Sequence, residues 1–109
     1  MLTAETGSEG LNFGVLDGRL DTVTAPEVER PLLDLVGGGD VVLDMAAVRF
    51  VSSAGLRVLL KAAKAAKAAG HGFAICGMQP SVSEVYAIGG FDRIIAAFGT
   101  RDEAVAALS

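Results

Sequence analysis

The sequence predicts an α/β fold, built on a mixed sheet of four to five strands with an N-terminal hairpin and about four α-helices. Three observations carry this expectation. The chain opens with two strand-like pieces, helix-like and strand-like runs then alternate to the end, and the helix-like runs start at capping residues or proline and stop at glycine. With 109 residues, 51% apolar side chains, 20% charged and 3 prolines, the chain has core material for one compact domain and is too apolar for a disordered segment. Residues 1–109 are therefore expected to form a single domain.

Residues 2–6 and 11–20 flank Gly7-Ser8-Glu9-Gly10, and Leu11, Phe13 and Val15 alternate with Asn12 and Gly14 at the two-residue period of a strand. An opening hairpin follows, with Gly18 marking a bulge or a close backbone approach in its second arm. Thr24 and Glu27 have the spacing of a capping box, in which the hydroxyl accepts from the Glu27 N–H while the carboxylate reaches back to the Thr24 N–H. The helix that starts there carries Val28, Leu32, Leu35 and Val36 at helical spacing. Pro31, which offers no N–H to the Glu27 carbonyl, is expected to kink it, and Gly37–Gly39 ends it.

Val41–Met45 is a short run without alternation, the pattern of a strand covered on both faces. After a loop, Phe50 and Val51 lead into Ser52 and Ser53. From Ala54 to Ala69 the residues are mostly Ala, Leu, Lys and Arg, all strong helix formers, and Gly70 stands where a left-handed C-terminal cap is expected. Phe73–Cys76 reads as a further strand. Pro80 and Ser81 open a helix carrying Val82, Val85 and Tyr86 and stopped by Gly89 and Gly90, and Ile94-Ile95 reads as a brief last strand. Thr100 and Glu103 repeat the capping-box spacing ahead of Ala104, Val105 and Leu108, so the chain closes on a short helix.

Parallel strands in such a sheet are joined by right-handed helical crossovers, and functional groups collect at the carboxyl ends of the strands, where loops feed helix N-termini. Two segments are expected to meet there: Asp21-Thr22-Val23-Thr24 after the second strand, and Ser52-Ser53 after the third. One of the two serines should cap the long helix. From the residues alone, ordinary capping and a modified serine both remain open. Arg57, Lys61 and Lys64, or all four with Lys67, share one side of that helix, opposite a stripe of Leu56, Leu59, Leu60 and Ala63. Such a row is either a solvated face or a strip that docks an acidic surface.

Several function classes are set aside by composition. A net charge of −4 repels polyphosphate, so no nucleic-acid partner is expected. Cys76, the single cysteine, makes no internal disulfide and reads as a small buried hydrophobe. Met1–Glu5 lacks the basic and apolar regions of a secretion signal, and no apolar stretch approaches the ~20 residues of a membrane span, so a cytoplasmic protein without direct membrane insertion is expected. Phe50–Gly55 is not the Gly-x-Ser-x-Gly elbow of a hydrolase. His71, the only histidine, lies roughly 25 Å of helical rise from Ser53 and is read as a turn residue. One histidine and one cysteine do not make a metal-ligand set. Gly37–Gly39 follow a helix and precede a strand, the reverse of a phosphate-binding loop. The chain is expected to be no enzyme and to need no metal or cofactor.

The run from Val48 to Leu60, Val-Arg-Phe-Val-Ser-Ser-Ala-Gly-Leu-Arg-Val-Leu-Leu, preceded by Val-Val-Leu-Asp-Met at Val41–Met45, resembles the signature of the STAS domain as found in bacterial anti-sigma factor antagonists. Gly18-Arg-Leu-Asp-Thr-Val-Thr-Ala25 resembles that family's Gly-x-Leu-Asp element, and Val85–Phe91 resembles its segment before the last strand. The resemblance covers nearly the whole chain and implies a STAS-like single domain. In the family the acceptor serine stands in an Asp-Ser-[Ser/Thr]-Gly-Leu pattern. Alignment on Gly55 and Leu56 implies phosphorylation at Ser53, with Ser52 as the alternative acceptor. Ser52 replaces the family's Asp, and Ala54 stands where a second hydroxyl is common.

The same resemblance implies that Asp21 lies close to the acceptor. It further implies a partner-binding surface of Asp21, Thr22, Ser52, Ala54, Gly55, Leu56, Arg57 and Lys61. The implied partner is an anti-sigma factor that is also a serine kinase. The unphosphorylated form binds it and frees the sigma factor, and a serine phosphatase resets the cycle. The alternative is a STAS adaptor subunit of a membrane transport or lipid-transport complex.

Overall fold

The computed structural model describes residues 1–7 and 10–108. Strand β1 (Leu2–Thr6) pairs antiparallel with β2 (Leu11–Leu20). Ser8 and Glu9 of the expected turn lie outside the described residues. Helix α1 (Ala25–Gly38) returns the chain to β3 (Asp40–Val51), α2 (Ser53–Ala69) to β4 (Phe73–Cys76), and α3 (Pro80–Ile88) with a 3₁₀ turn at Phe91–Arg93 to β5 (Ala96–Phe98). Helix α4 (Arg101–Leu108) closes the order. The strands lie in the sheet as β1-β2-β3-β4-β5, with every pair after the hairpin parallel. This is the mixed α/β sheet with four helices that the sequence predicts.

Side-chain alternation along β3 explains the layering. Val41, Leu43, Met45, Val48 and Val51 enter the larger core with Leu16 and Leu20 of β2, Val28, Leu32 and Val36 of α1, and Val58 and Leu59 of α2. Val42 points the other way, into a smaller cluster with Ala74, Cys76 and Ala104 of α4. A strand covered on both faces needs apolar residues at successive positions, which is why Val41–Leu43 shows no alternation. Cys76 is 1% exposed, and burial, followed by the nearby Asp44 carboxylate, pushes its thiol up to about 11. Arg101 pins α4 across the sheet, donating from Nε to Asp44 Oδ2 at 2.8 Å and pairing with Glu5 Oε1 at 3.0 Å. Its guanidinium also lies over the Phe13 ring, 4.7 Å from the centroid.

Four local expectations need correction. Strand β3 runs on to Val51 where a loop was expected after Met45, because β2 stays paired with it through two register shifts, the second directly after Gly18, whose φ is 82°. The last strand is Ala96–Phe98 and not Ile94-Ile95. Ile95 is a buried core residue whose carbonyl accepts from the Tyr86 hydroxyl, while Ile94 is 56% exposed. On α2 the buried side is Val58, Leu59, Ala62 and Ala66, with Leu56, Leu60 and Ala63 only partly covered, since the helix packs against α1 as well as the sheet. The capping box at Thr24 does not form, because Asp21 takes the Thr24 N–H.

Helix α1 continues through Pro31 to Gly38. The proline is on the exposed side, where water can satisfy the carbonyl left without a donor. Gly70 caps α2 in the left-handed region, as expected, at φ 76°. His71, next in the chain, ties α2 to α1 through a 2.8 Å contact between Nδ1 and the Val36 carbonyl.

Candidate functional site

The parallel pairing of β2 with β3 brings Leu20 opposite Val51, so the segments that follow each strand leave the sheet side by side. The Ser52 N–H donates to the Leu20 carbonyl at 2.9 Å, which joins the two strand ends. Asp21-Thr22 and Ser52-Ser53 therefore share one corner at the carboxyl edge of the sheet, as the topology rule predicts.

At that corner the two serines have different jobs. Ser52 is in extended conformation (φ −91°, ψ 175°), and its Oγ accepts from the Gly55 N–H at 3.2 Å. It is the N-cap of α2. Ser53 is the first helical residue, exposed to solvent, with no hydrogen bond to its side chain among the described residues. Replacing Ser52 by alanine removes the cap and is expected to cost about 1 kcal/mol. Calorimetry would show this as a fall in Tm of ~4–8 °C. An unchanged Tm would mean that the hydroxyl does no capping.

Asp21 organises the neighbouring loop. Its Oδ1 accepts from the N–H groups of Val23 (3.0 Å) and Thr24 (3.1 Å), and its Oδ2 accepts from Arg19 Nε at 3.1 Å. The Thr24 hydroxyl turns back, donating to the Arg19 carbonyl at 2.7 Å and accepting from the Asp21 N–H at 2.9 Å. That is why Thr24 does not pair with Glu27: a charged acceptor three residues upstream takes its N–H, and the hydroxyl is used in the turn. The hydrogen bond from the Thr24 backbone, then the one from the Arg19 side chain, hold the Asp21 carboxyl below its ordinary value. At neutral pH Asp21 is therefore ionised, its charge paired with the Arg19 guanidinium.

Arg19 and Phe50 belong to the same corner and were missed in the sequence. The Arg19 guanidinium lies over the Phe50 ring, 4.4 Å from its centroid, and Phe50 is 42% exposed. Their pairing is a consequence of strand register, Arg19 standing opposite Phe50, and register is invisible until the bulges are known.

Gly55 sits beneath the surface. A Cβ on it would fall 2.4 Å from the Leu20 carbonyl oxygen and 2.8 Å from Leu20 Cγ, so only glycine lets the first turn of α2 press against the end of β2. Beside it, Thr22, Pro26, Ala54, Arg57 and Lys61 line a groove of about 370 Å³ between α1 and α2. Lys61 is paired across it with Glu29 of α1 at 2.9 Å. Arg57 is exposed and in no ion pair among the described residues. Of the predicted surface residues, then, Thr22, Arg57 and Lys61 are exposed, as is Ser53 beside them, Asp21, Ser52, Ala54 and Leu56 are partly covered, and Gly55 is a packing residue.

Among the described residues no group of three or more His, Cys, Asp or Glu side chains is placed to hold a metal, and no helix is long and apolar enough to cross a membrane. The STAS domain family model matches residues 13–104. BtrV of Bordetella bronchiseptica, named as an anti-sigma factor antagonist, is 35% identical over 101 residues, covering 91% of this chain and 87% of its own length. The crystal structure of an anti-sigma factor antagonist from Mycobacterium paratuberculosis superposes with a TM-score of 0.89 at 25% identity, over 99% of this chain and 92% of that one. The phosphorylated form of the Bacillus cell fate determinant SpoIIAA shares the fold, with a TM-score of 0.74 at 15% identity over 100% of both chains. On the strength of the family match and the Bordetella relative, this protein belongs to the STAS domain family.

Proposed function

We propose that this protein is a cytoplasmic anti-sigma factor antagonist, working as a single STAS domain over residues 1–109 and switched by phosphorylation of Ser53. The observation that carries the reading is the division of labour between the serines: Ser52 Oγ is engaged in the cap, and Ser53, one residue on, presents its hydroxyl to solvent. The Bordetella relative, by its name, supports an anti-sigma factor as the partner class, and the motif around Ser53 is the reason for reading that partner as the serine kinase as well. A serine phosphatase resets the switch.

The unphosphorylated corner docks the anti-sigma factor. Thr22, Ser53 and Arg57 make contact at the surface, Asp21, Ser52, Ala54 and Lys61 shape the rim, and Gly55 and Leu56 hold the turn in place. Transfer of the γ-phosphoryl group of ATP to Ser53 Oγ, with ADP leaving, adds a charge of about −1.5 to −2 at neutral pH. The helix N-terminus tolerates that charge, because its free N–H groups carry partial positive charge. A partner surface shaped for a neutral hydroxyl does not, because the bulky dianion clashes with an apolar or acidic docking surface.

Incubation with the cognate anti-sigma kinase and ATP, followed by trypsin and mass spectrometry, tests the acceptor. Cleavage after Arg49 and Arg57 releases Phe50–Arg57, which contains both serines. Fragment ions are expected to place phosphate on Ser53. Phosphate on Ser52 alone would reassign the acceptor, and an unmodified peptide would contradict the switch.

A further inference from the structure

Helix α3 has only 9 residues, and the chain comes back to β5 through the 3₁₀ turn at Phe91–Arg93. A longer crossover helix would lie alongside the second half of α2. In its place is an open groove of about 490 Å³, at the opposite end of α2 from Ser53. Leu60, Phe73 and Ile94 form its apolar lining, and Ile94 is 56% exposed although it follows directly on the charged 3₁₀ turn. Lys64 and Lys67, one helical turn apart, stand on one lip, and Arg93 stands on the other.

The charge here runs against the rest of the molecule. The whole chain carries −4, yet no carboxylate lines this groove. Among the described residues none of Lys64, Lys67 and Arg93 is in an ion pair, whereas Lys61, one turn earlier on α2, is paired with Glu29. Three uncompensated cations around an apolar floor call for an occupant that is apolar in the middle and acidic at both edges. The groove is open along its length and spans about 10 Å of α2 from Leu60 to Lys67. A small amphiphile in a specific site has most of its surface enclosed, which an open groove does not provide. An amphipathic helix needs only one face covered and keeps the other in water.

We propose that this groove docks an acidic amphipathic helix of a partner protein, at a surface separate from the Ser53 corner. Because the two surfaces lie at opposite ends of α2, a partner held here would stay attached whether or not Ser53 is phosphorylated.

A synthetic acidic helix of about 18 residues, with leucines along one face and glutamates on both flanks, provides the probe. Titration into the ¹⁵N-labelled protein is expected to shift the amide signals of Leu60, Lys67, Phe73 and Ile94 and to leave those of Asp21 and Ser53 in place. The variant carrying Lys64→Glu, Lys67→Glu and Arg93→Glu, all at exposed positions, is expected to bind about tenfold more weakly or worse while keeping a dispersed spectrum. Three results would overturn the proposal: equal binding of a scrambled peptide with the same composition, shifts centred on the Ser53 corner, or a groove that responds to dodecanoate and ignores the peptide. The phosphorylation state of Ser53 enters none of these readings, so this test and the test of the switch fail independently.

Discussion

Replacing Gly55 by alanine is expected to destabilise the protein by about 1–3 kcal/mol, seen as a fall in Tm of roughly 5–15 °C. Helix propensity alone predicts the opposite sign, since alanine in a helix is favoured over glycine by about 1 kcal/mol. The clash decides the outcome. The added carbon would sit 2.4 Å from a backbone oxygen, that of Leu20, and the same oxygen accepts the Ser52 N–H at 2.9 Å. Neither the strand end nor the helix start can give way without losing the hydrogen bond that joins them. Circular dichroism melts of Gly55→Ala would check this, and a Tm equal to or above that of the parent would show that the corner is looser than the structure has it. Because the shift moves the start of α2, partner binding is expected to fall along with stability.

Ser53→Asp is expected to separate the two effects. At the first position of α2 a carboxylate is favoured by the helix dipole, by about 0.3–1 kcal/mol, so Tm should hold or rise slightly. Binding to the anti-sigma factor is expected to weaken by more than tenfold, and full phosphorylation by more than a hundredfold, which corresponds to ~3 kcal/mol. Ser53→Ala keeps the site neutral and small, and it should bind like the parent while accepting no phosphate. Isothermal titration on the three forms reads these differences directly. A Ser53→Asp variant that binds like the parent would remove charge as the basis of the switch, and one that unfolds would make Ser53 a structural residue.

Much of this fold was legible in the sequence because the signals concerned are local. The Ala- and Lys-rich run before Gly70, the proline start of α3 and the Thr100 cap of α4, whose Oγ1 accepts from the Glu103 N–H at 3.2 Å, each depend on residues a few positions apart. Where competing local signals overlap, the sequence does not arbitrate. Thr24 has both Glu27 ahead of it and Asp21 behind it, and only the loop conformation shows that Asp21 takes the Thr24 N–H. The extension of β3 to Val51, the displaced β5 and the Arg19–Phe50 contact all depend on pairing between distant segments, which leaves no periodic trace.

The candidate site divides the same way. A pair of serines before a strong helix is visible in the sequence, and the family resemblance points to the second of them. Which hydroxyl is engaged follows from the backbone of a single residue, Ser52, whose extended conformation turns its Oγ onto the Gly55 N–H. Gly55 itself was recognised as part of a motif. Its physical role came from the Leu20 carbonyl, 35 residues away in the chain, and no reading of the motif alone supplies that.

The most direct test is the affinity of the cognate anti-sigma factor for the protein before and after stoichiometric phosphorylation at Ser53, measured by calorimetry with Tm recorded on both forms. The Ser53 switch predicts a loss of more than a hundredfold in affinity with Tm changed by no more than a few degrees. Equal affinity of the two forms, or a loss of binding that follows a collapse in Tm, would contradict it.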